Sequence, residues 1–136
     1  MDHNDLYRAE TRKSPATFAS DFAGVLKKYG FIINNADTMD MGKTFRAHGA
    51  DAGEGFDLHM IQVCKPEKAS QSLAANPERA ILMPKFVMAF SKGGKTQLRF
   101  MSYSGADISA MVDDLVFPGS LAESFQKIRE MIDEAR

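Results

Sequence analysis

Two segments of the chain carry apolar residues at the spacing of an amphipathic helix. In the first segment the apolar stripe consists of Phe18, Phe22, Val25, Leu26 and Tyr29. These side chains share one face because residues three, four and seven positions apart stack on a helix. Ser14 followed by Pro15 is typical of a helix start, and Gly30 is typical of a helix end. The pattern therefore predicts a helix over residues 15–29.

The second such segment lies near the end of the sequence. Its apolar stripe consists of Leu121, Phe125, Ile128 and Ile132. Ser120 and Glu123 have the spacing of a capping box, and Phe117-Pro118-Gly119 predicts a break in the chain before it. We therefore expect a terminal helix over residues 120–136. Two shorter helices are predicted over residues 66–75 and 108–115.

Short apolar runs and period-two alternation predict the strands. They cover residues 6–12, 31–36, 56–64, 81–83, 86–90 and 96–103. Gly93 and Gly94 predict a tight hairpin between the last two strands, with Leu98 and Phe100 facing Met88 and Phe90 across it. The order of elements predicts an α+β fold, a two-layer sandwich with a mostly antiparallel sheet and helices on one face.

A glycine- and aspartate-rich segment, residues 39–55, interrupts this pattern. We expect a long loop there, because glycine and aspartate favour turns. Long loops in small domains are often functional, so His48 and Arg46 are candidates for lining a binding site. The alternative is that both side chains are simply solvated.

Length and charge narrow the class of protein. With 136 residues the chain suits a single domain, 1–136, in which residues 1–5 are expected to be a disordered tail. The net charge of −1 lacks the excess of positive charge that binds a phosphate backbone, so we expect no nucleic acid partner. No apolar run is long enough for a membrane span, and the first residues lack a secretory signal, so we expect a cytoplasmic protein. No residue pattern calls for a cofactor or a metal.

Cys64 is the strongest candidate for chemistry, and it is the only cysteine of the chain. It ends a predicted strand just before a helix, whose positive end would stabilise a thiolate, and Lys65 and Lys68 add positive charge. The alternative is a small buried side chain at the end of a strand. One cysteine excludes an internal disulfide and leaves a free thiol.

His59, Arg99 and Lys65 are candidates for ligand binding. A five-residue offset puts His59 and Cys64 on opposite faces of the strand, whereas Asp57 shares the face of His59 and can orient it. Arg99 lies on the opposite face from Leu98 and could bind an anion. Solvated strand faces are the alternative for both His59 and Arg99.

Several short motifs occur in an order that is similar to that of a known family. They are Glu10-Thr11-Arg12-Lys13-Ser14, Gly30-Phe31, Val63-Cys64-Lys65-Pro66-Glu67, Asn76-Pro77 and Leu82-Met83-Pro84, followed by the glycine hairpin. Over roughly residues 6–103 they resemble the family catalogued as domain of unknown function 302. The resemblance implies an α+β sandwich of the TATA-box-binding-protein-like class with a twisted antiparallel sheet, often as a homodimer. It implies no reaction.

The resemblance also concerns the thiol. The family's cysteine before a proline maps onto Cys64 and Pro66, whereas many members carry a second cysteine where this chain has Lys85. This departure argues against a dithiol or a two-cysteine metal site. The fold it shares with a DNA-binding protein is no evidence for DNA binding, since function lies in sites.

Two main hypotheses follow, and no catalytic constellation decides whether the protein is an enzyme. The first is a ligand-binding or homodimeric assembly module, whose sheet or loop over residues 39–55 contacts a small molecule or another protein. The second is a thiol protein that uses Cys64 for sulfur transfer or redox chemistry. A metal or haem binder using His59, His48 or Cys64 is a third, which has no diagnostic ligand spacing.

Overall fold

Local signals set the ends of the first helix in a computed structural model that describes residues 3–136. The helix α1 covers Pro15–Lys28. The Oγ of Ser14 accepts a hydrogen bond from the backbone N–H of Thr17 at 3.1 Å. After the helix, Gly30 adopts a φ of 79°, a left-handed conformation that glycine tolerates best. The predicted start and stop of α1 are therefore confirmed.

The remaining elements follow in chain order. The strands are β1 (Asp5–Thr11), β2 (Ile32–Ile33), β3 (Leu58–Cys64), β4 (Lys85–Lys92) and β5 (Lys95–Ser102). The other helices are α2 (Met41–Ala47), α3 (Pro66–Ala75), a 3₁₀ helix (Pro77–Leu82), α4 (Gly105–Met111) and α5 (Phe117–Ala135). None of the helices in residues 3–136 has the length and apolar character to span a bilayer.

The five strands form one sheet in the order β1-β5-β4-β3-β2, and every pairing is antiparallel. The helices α1 and α5 pack against each other and against the same face of the sheet. Between them lies the core, whose largest fully buried side chains include Phe18, Phe22, Phe100, Phe117 and Ile128. The predicted α+β fold, a sheet with helices on one face, is confirmed.

The opposite face of the sheet, which we call the open face, carries the alternate residues of the strands. From strands β1, β3, β4 and β5 it comprises Leu6, Arg8, Glu10, Leu58, Met60, Gln62, Cys64, Phe86, Met88, Phe90, Gln97, Arg99 and Met101. Each of these side chains is exposed or half-buried.

The hairpin forms where it was predicted, but its register differs by one residue. Gly93 and Gly94 have φ angles of 65° and 77°, which suit a two-residue turn. Leu98 pairs with Ala89 and Phe100 pairs with Val87. The expected pairing with Met88 and Phe90 is wrong, because a two-residue loop with paired Lys92 and Lys95 sets the register. A slip of one residue moves a side chain to the other face.

Two predicted segments have a different structure. The loop predicted over residues 39–55 contains α2, because the carboxylate of Asp40 accepts from the backbone N–H of Lys43 at 3.2 Å and caps the helix. The strand predicted over residues 81–83 is part of the 3₁₀ helix, where Asn76 Oδ1 accepts from the N–H of Glu78. Both predictions missed a polar cap before a short helix.

Strand β2 is shorter than predicted, since only Ile32–Ile33 pairs as a strand. The amide side chain of Asn35 donates to the carbonyl of Met60 and accepts from the N–H of Gln62, both at 2.9 Å. It takes the place of backbone partners and ends the ladder.

Strand β1 begins at Asp5, and the side-chain oxygen of Asn4 accepts a hydrogen bond from the backbone N–H of Ser104. Asn4 and Asp5, which the tail prediction included, are therefore held in the fold. The rest of that prediction falls partly on residues 1–2, which lie outside the described residues.

Helix α5 begins three residues earlier than predicted. Asp114 Oδ1 accepts from the backbone N–H groups of Val116 and Phe117, at 3.0 and 2.8 Å. Pro118 lies in the first turn, where its missing N–H costs nothing. Ser120 is therefore inside the helix, and the predicted capping box is wrong.

Candidate ligand-binding pocket

A cavity of about 310 Å³ opens between the end of β3, helix α3, the start of β4 and helix α5. This volume lies at the small end of the range for small-molecule sites. Its walls are mainly apolar and include Phe31, Val63, Leu73, Met83, Phe117 and Ile128. Helix α3, which forms one wall, has no fully buried residue. The cavity therefore lies between the sheet and a helix that is only lightly packed.

Three lysines line this pocket, and we call them the pocket lysines: Lys65, Lys68 and Lys85. Lys68 Nζ donates to Ser124 Oγ at 2.8 Å and to the Ser120 carbonyl at 3.3 Å. Lys65 Nζ lies 5.3 Å from the centre of the Phe31 ring. These partners are neutral, so they position the ammonium groups without cancelling their charge.

Lys85 is half-buried and enters the pocket from the sheet. It is the first residue of β4 and pairs with Val63 of β3. Its Nζ donates to the Met83 carbonyl at 3.1 Å. Burial lowers the pKa of Lys85, the positive charge of Lys68 lowers it further, and Cys64 acts in the opposite direction. The pocket lysines therefore carry positive charge that the other residues lining the pocket do not neutralise.

No acidic side chain lines the pocket within residues 3–136. Some lysines elsewhere in the described chain do pair with carboxylates: Lys13 lies 2.9 Å from Asp21, and Lys95 lies 2.8 Å from Glu10. A buried or half-buried ammonium without a counter-charge is costly. An anion that enters the cavity would supply the missing counter-charge.

A salt bridge holds the pocket wall in place. Arg79, in the 3₁₀ helix, donates from Nε and Nη2 to the two carboxylate oxygens of Asp114, at 2.7 and 3.0 Å. Asn76 Nδ2 donates to the same carboxylate at 2.9 Å. These hydrogen bonds hold the pKa of Asp114 well below its usual range. They tie the segment between α3 and β4 to the start of α5, where Phe117 lines the pocket. Asp114 is thus buried and paired, although its sequence pattern is that of a solvent-facing helix charge.

The structure places two of the five predicted site residues at the pocket. Cys64 and Lys65 both line it, and the Cys64 thiol is free and partly exposed. Helix α3 starts at Pro66, directly after them, as predicted. These two residues therefore share one site with Lys68 and Lys85.

The other three predicted site residues lie elsewhere. His59 is 6% exposed on the core face, with Nδ1 3.6 Å from the carboxylate of Asp57 and without a hydrogen-bond partner among the described residues. The solvated strand face that was the alternative for His59 is therefore wrong. Arg99 lies on the open face, stacked 5.5 Å from the Phe90 ring and donating to the Leu98 carbonyl. His48 is exposed at the end of α2.

Sequence reasoning missed Lys85 and Ser124 as pocket residues and named Lys68 only as a neighbour of the thiol. One signal was present: Lys85 is in phase with Val87 and Ala89, two positions on the buried face of β4. A lysine on the apolar face of a strand indicates a special site.

Comparison with known proteins gives the family. The sequence profile of "Domain of unknown function DUF302" matches residues 7–135. The chain belongs to this family. The match covers most of the chain, including all of β3, α3, β4 and α5, which form the pocket. The resemblance inferred from the short motifs is therefore confirmed.

One solved structure is similar over nearly the whole chain. It is the "Crystal structure of uncharacterized conserved protein DUF302 from Bacillus stearothermophilus", with 16% sequence identity and a TM-score of 0.77. The alignment covers 96% of this chain and 98% of that chain. At this identity the likeness shows the fold. A search of curated proteins gives no match.

Proposed function

We propose that this protein is a binding module for a small anionic molecule with an apolar portion. The observation that supports it is the set of three pocket lysines around a largely apolar cavity that no carboxylate lines within residues 3–136. The ammonium groups would bind the anionic head, and the apolar walls would bury the rest of the ligand. Each buried methylene contributes about 0.8 kcal/mol, so a short hydrocarbon chain adds useful affinity.

The first test is calorimetric titration with octanoate, a straight-chain carboxylate. We expect octanoate to bind more tightly than octanol, which lacks the charge, and octylammonium not to bind. Lys68→Met should weaken octanoate binding by about tenfold, because a charge-assisted hydrogen bond is lost. Lys92→Met is the matched control, since Lys92 is exposed at the far end of β4. Equal affinity for octanoate and octanol would refute the proposal.

Cys64 offers a second readout at the same site. Its thiol lines the pocket and is partly exposed. Saturating octanoate should therefore slow alkylation of Cys64 by iodoacetamide, whereas octylammonium should leave the rate unchanged. Unaltered alkylation at a concentration that saturates the calorimetric signal would place the ligand outside this pocket.

The thiol function remains an alternative prediction. What favours it is only that Cys64 precedes α3 and lies beside Lys65 and Lys68 in the pocket. A single cysteine needs a second thiol from another molecule for disulfide chemistry. A free thiol also suits a reducing compartment, so we keep the cytoplasm as the proposed location.

We further propose that two copies pack through their open faces. Large apolar side chains such as Phe86, Met88 and Phe90 lie half-buried there, and Met101 is 40% exposed. Arg8 and Glu10 lie two residues apart on β1, so a copy related by a twofold rotation can place opposite charges against each other.

Light scattering tests this dimer. The wild-type protein should show twice the monomer mass at high micromolar concentration, and Met88→Glu should show the monomer mass, because a carboxylate would be buried in an apolar contact. Ser109→Glu, on the exposed side of α4, is the control and should remain dimeric. A monomeric wild-type protein would contradict the proposal. The octanoate test is independent of this result.

A further inference from the structure

We propose that Lys85 forms a reversible imine with small aldehydes or ketones that carry an anionic group. This inference rests on the proposed function, since it assumes that the pocket admits an anionic molecule. It goes further because it assigns a covalent role to one amine and names the class of ligand as carbonyl compounds.

Geometry supplies the first reason. Lys85 Nζ is held at the pocket wall by its hydrogen bond to the Met83 carbonyl at 3.1 Å. The walls around it, from Val63, Phe117 and Ile128, are apolar. No described carboxylate lies within ion-pair distance of this amine, whereas the amines of Lys13 and Lys95 each form an ion pair. Lys85 therefore lines the cavity, and no described counter-charge engages its amine.

The protonation state supplies the second reason. An amine attacks a carbonyl carbon only in its neutral form, and an ordinary lysine is charged at neutral pH. Burial and the neighbouring Lys68 charge lower the pKa of Lys85. Desolvation and an adjacent cation are the two means by which proteins activate lysine for imine formation. Lys85 has both.

The other pocket groups suit the rest of the ligand. Lys68 Nζ is positioned by its hydrogen bond to Ser124 Oγ at 2.8 Å, so its ammonium group can bind the carboxylate of an oxo acid. Lys65 adds a second ammonium at the pocket. Binding the anion beside Lys85 would hold the carbonyl carbon near Nζ and raise its effective concentration.

The reaction needs no oxidant or reductant. The Nζ lone pair adds to the carbonyl carbon while the π electrons move to oxygen, and a proton passes from nitrogen to oxygen to give a carbinolamine. The nitrogen lone pair then forms C=N as the hydroxyl leaves, protonated, as water, and the nitrogen loses its remaining proton. One water is released for each imine formed, and hydrolysis reverses the step.

Reductive trapping tests the proposal. The protein is incubated at pH 7 with succinic semialdehyde and sodium cyanoborohydride, whose hydride reduces the imine to a stable secondary amine. Intact mass spectrometry should show one adduct with the mass of the aldehyde less one oxygen atom, and peptide mapping should place it on Lys85. Labelling of Lys85 should exceed that of exposed Lys92 several-fold, because the lowered pKa of Lys85 leaves more of its amine neutral. Butanal, which lacks the carboxylate, should label Lys85 more slowly.

Controls separate this proposal from the binding function. Lys85→Arg keeps the charge and should lose the preferred adduct. If that variant does not fold, competition in the wild-type protein serves instead, since octanoate should slow labelling of Lys85 but not of Lys92. Octanoate binding without preferred labelling of Lys85 would overturn the imine and leave the proposed function standing. If both aldehydes label Lys85 equally well and octanoate does not bind, the requirement for an anionic ligand would be overturned in both the proposed function and the imine proposal.

Discussion

Asp114→Asn is expected to lower the melting temperature on the order of 5–10 °C. The Asp114 carboxylate accepts hydrogen bonds from Arg79, Asn76 and the backbone N–H groups of Val116 and Phe117. An asparagine side chain has one acceptor oxygen, and its amide group would point hydrogens at other donors. Differential scanning calorimetry measures the change. Asp113→Asn is the control, because Asp113 is exposed beside it and should change little.

The effect of Asp114 should depend on pH with a definite sign. Its pKa in the folded protein lies below the value of about 3.9 for an unfolded aspartate. The stability that it contributes is therefore complete above about pH 5 and is lost as the pH falls through the folded pKa. The melting temperatures of wild type and variant should differ by a constant amount near neutral pH, and the difference should begin to shrink below about pH 4 and disappear as the pH reaches the folded pKa. A difference that persists in acid would contradict the role of the charged carboxylate.

Lys85→Met is expected to abolish octanoate binding and to stabilise the protein by about 1 kcal/mol. A methionine of similar length fills the same space without a buried charge, and it removes the cation that would pair with the ligand. Denaturant unfolding and calorimetric titration measure the two effects on one sample. Lys92→Met should alter neither. A variant that is less stable and still binds octanoate would contradict our interpretation of Lys85.

The stabilisation by Lys85→Met should also vary with pH. The folded-state pKa of Lys85 lies below its unfolded value of 10.5, so the charged amine reduces the stability of the wild-type protein. This penalty is complete below the folded pKa, declines as the pH rises through it, and disappears above the unfolded value. The gain in the variant should therefore be largest below the folded-state pKa, shrink as the pH rises through it, and vanish above pH 10.5. A gain in stability with this pH dependence would show that the charged amine of Lys85 destabilises the folded protein while it contributes to ligand binding.

Much of the fold could be predicted because the signals for it are local. Ser14, Pro15 and Gly30 mark the ends of α1 within a few residues, and the two glycines of the hairpin set its turn. Short helices were harder. Asp40 and Asn76 cap α2 and the 3₁₀ helix, yet each lies in a segment whose glycines or apolar residues favour another structure.

The candidate site was only half visible, because its residues come from separate elements. Cys64 and Lys65 are neighbours at the junction between β3 and α3, so the sequence around this junction is enough to indicate them as site residues. Lys85 reaches the same cavity through the pairing of β4 with β3, and Ser124 reaches it through the packing of α5. The neighbouring sequence indicates that Lys85 lies on the buried face of β4, but it does not indicate which elements meet there.

The amino-acid sequence by itself determined the faces of α1, the turn of the hairpin, the α+β class and the family. These depend on spacings of a few residues, where the backbone geometry is known in advance. Only the tertiary structure decided the burial of His59, the pairing of Asp114 with Arg79, and the meeting of the three pocket lysines. Those features depend on which strands pair and how the helices pack, and none of them can be read from spacings of a few residues.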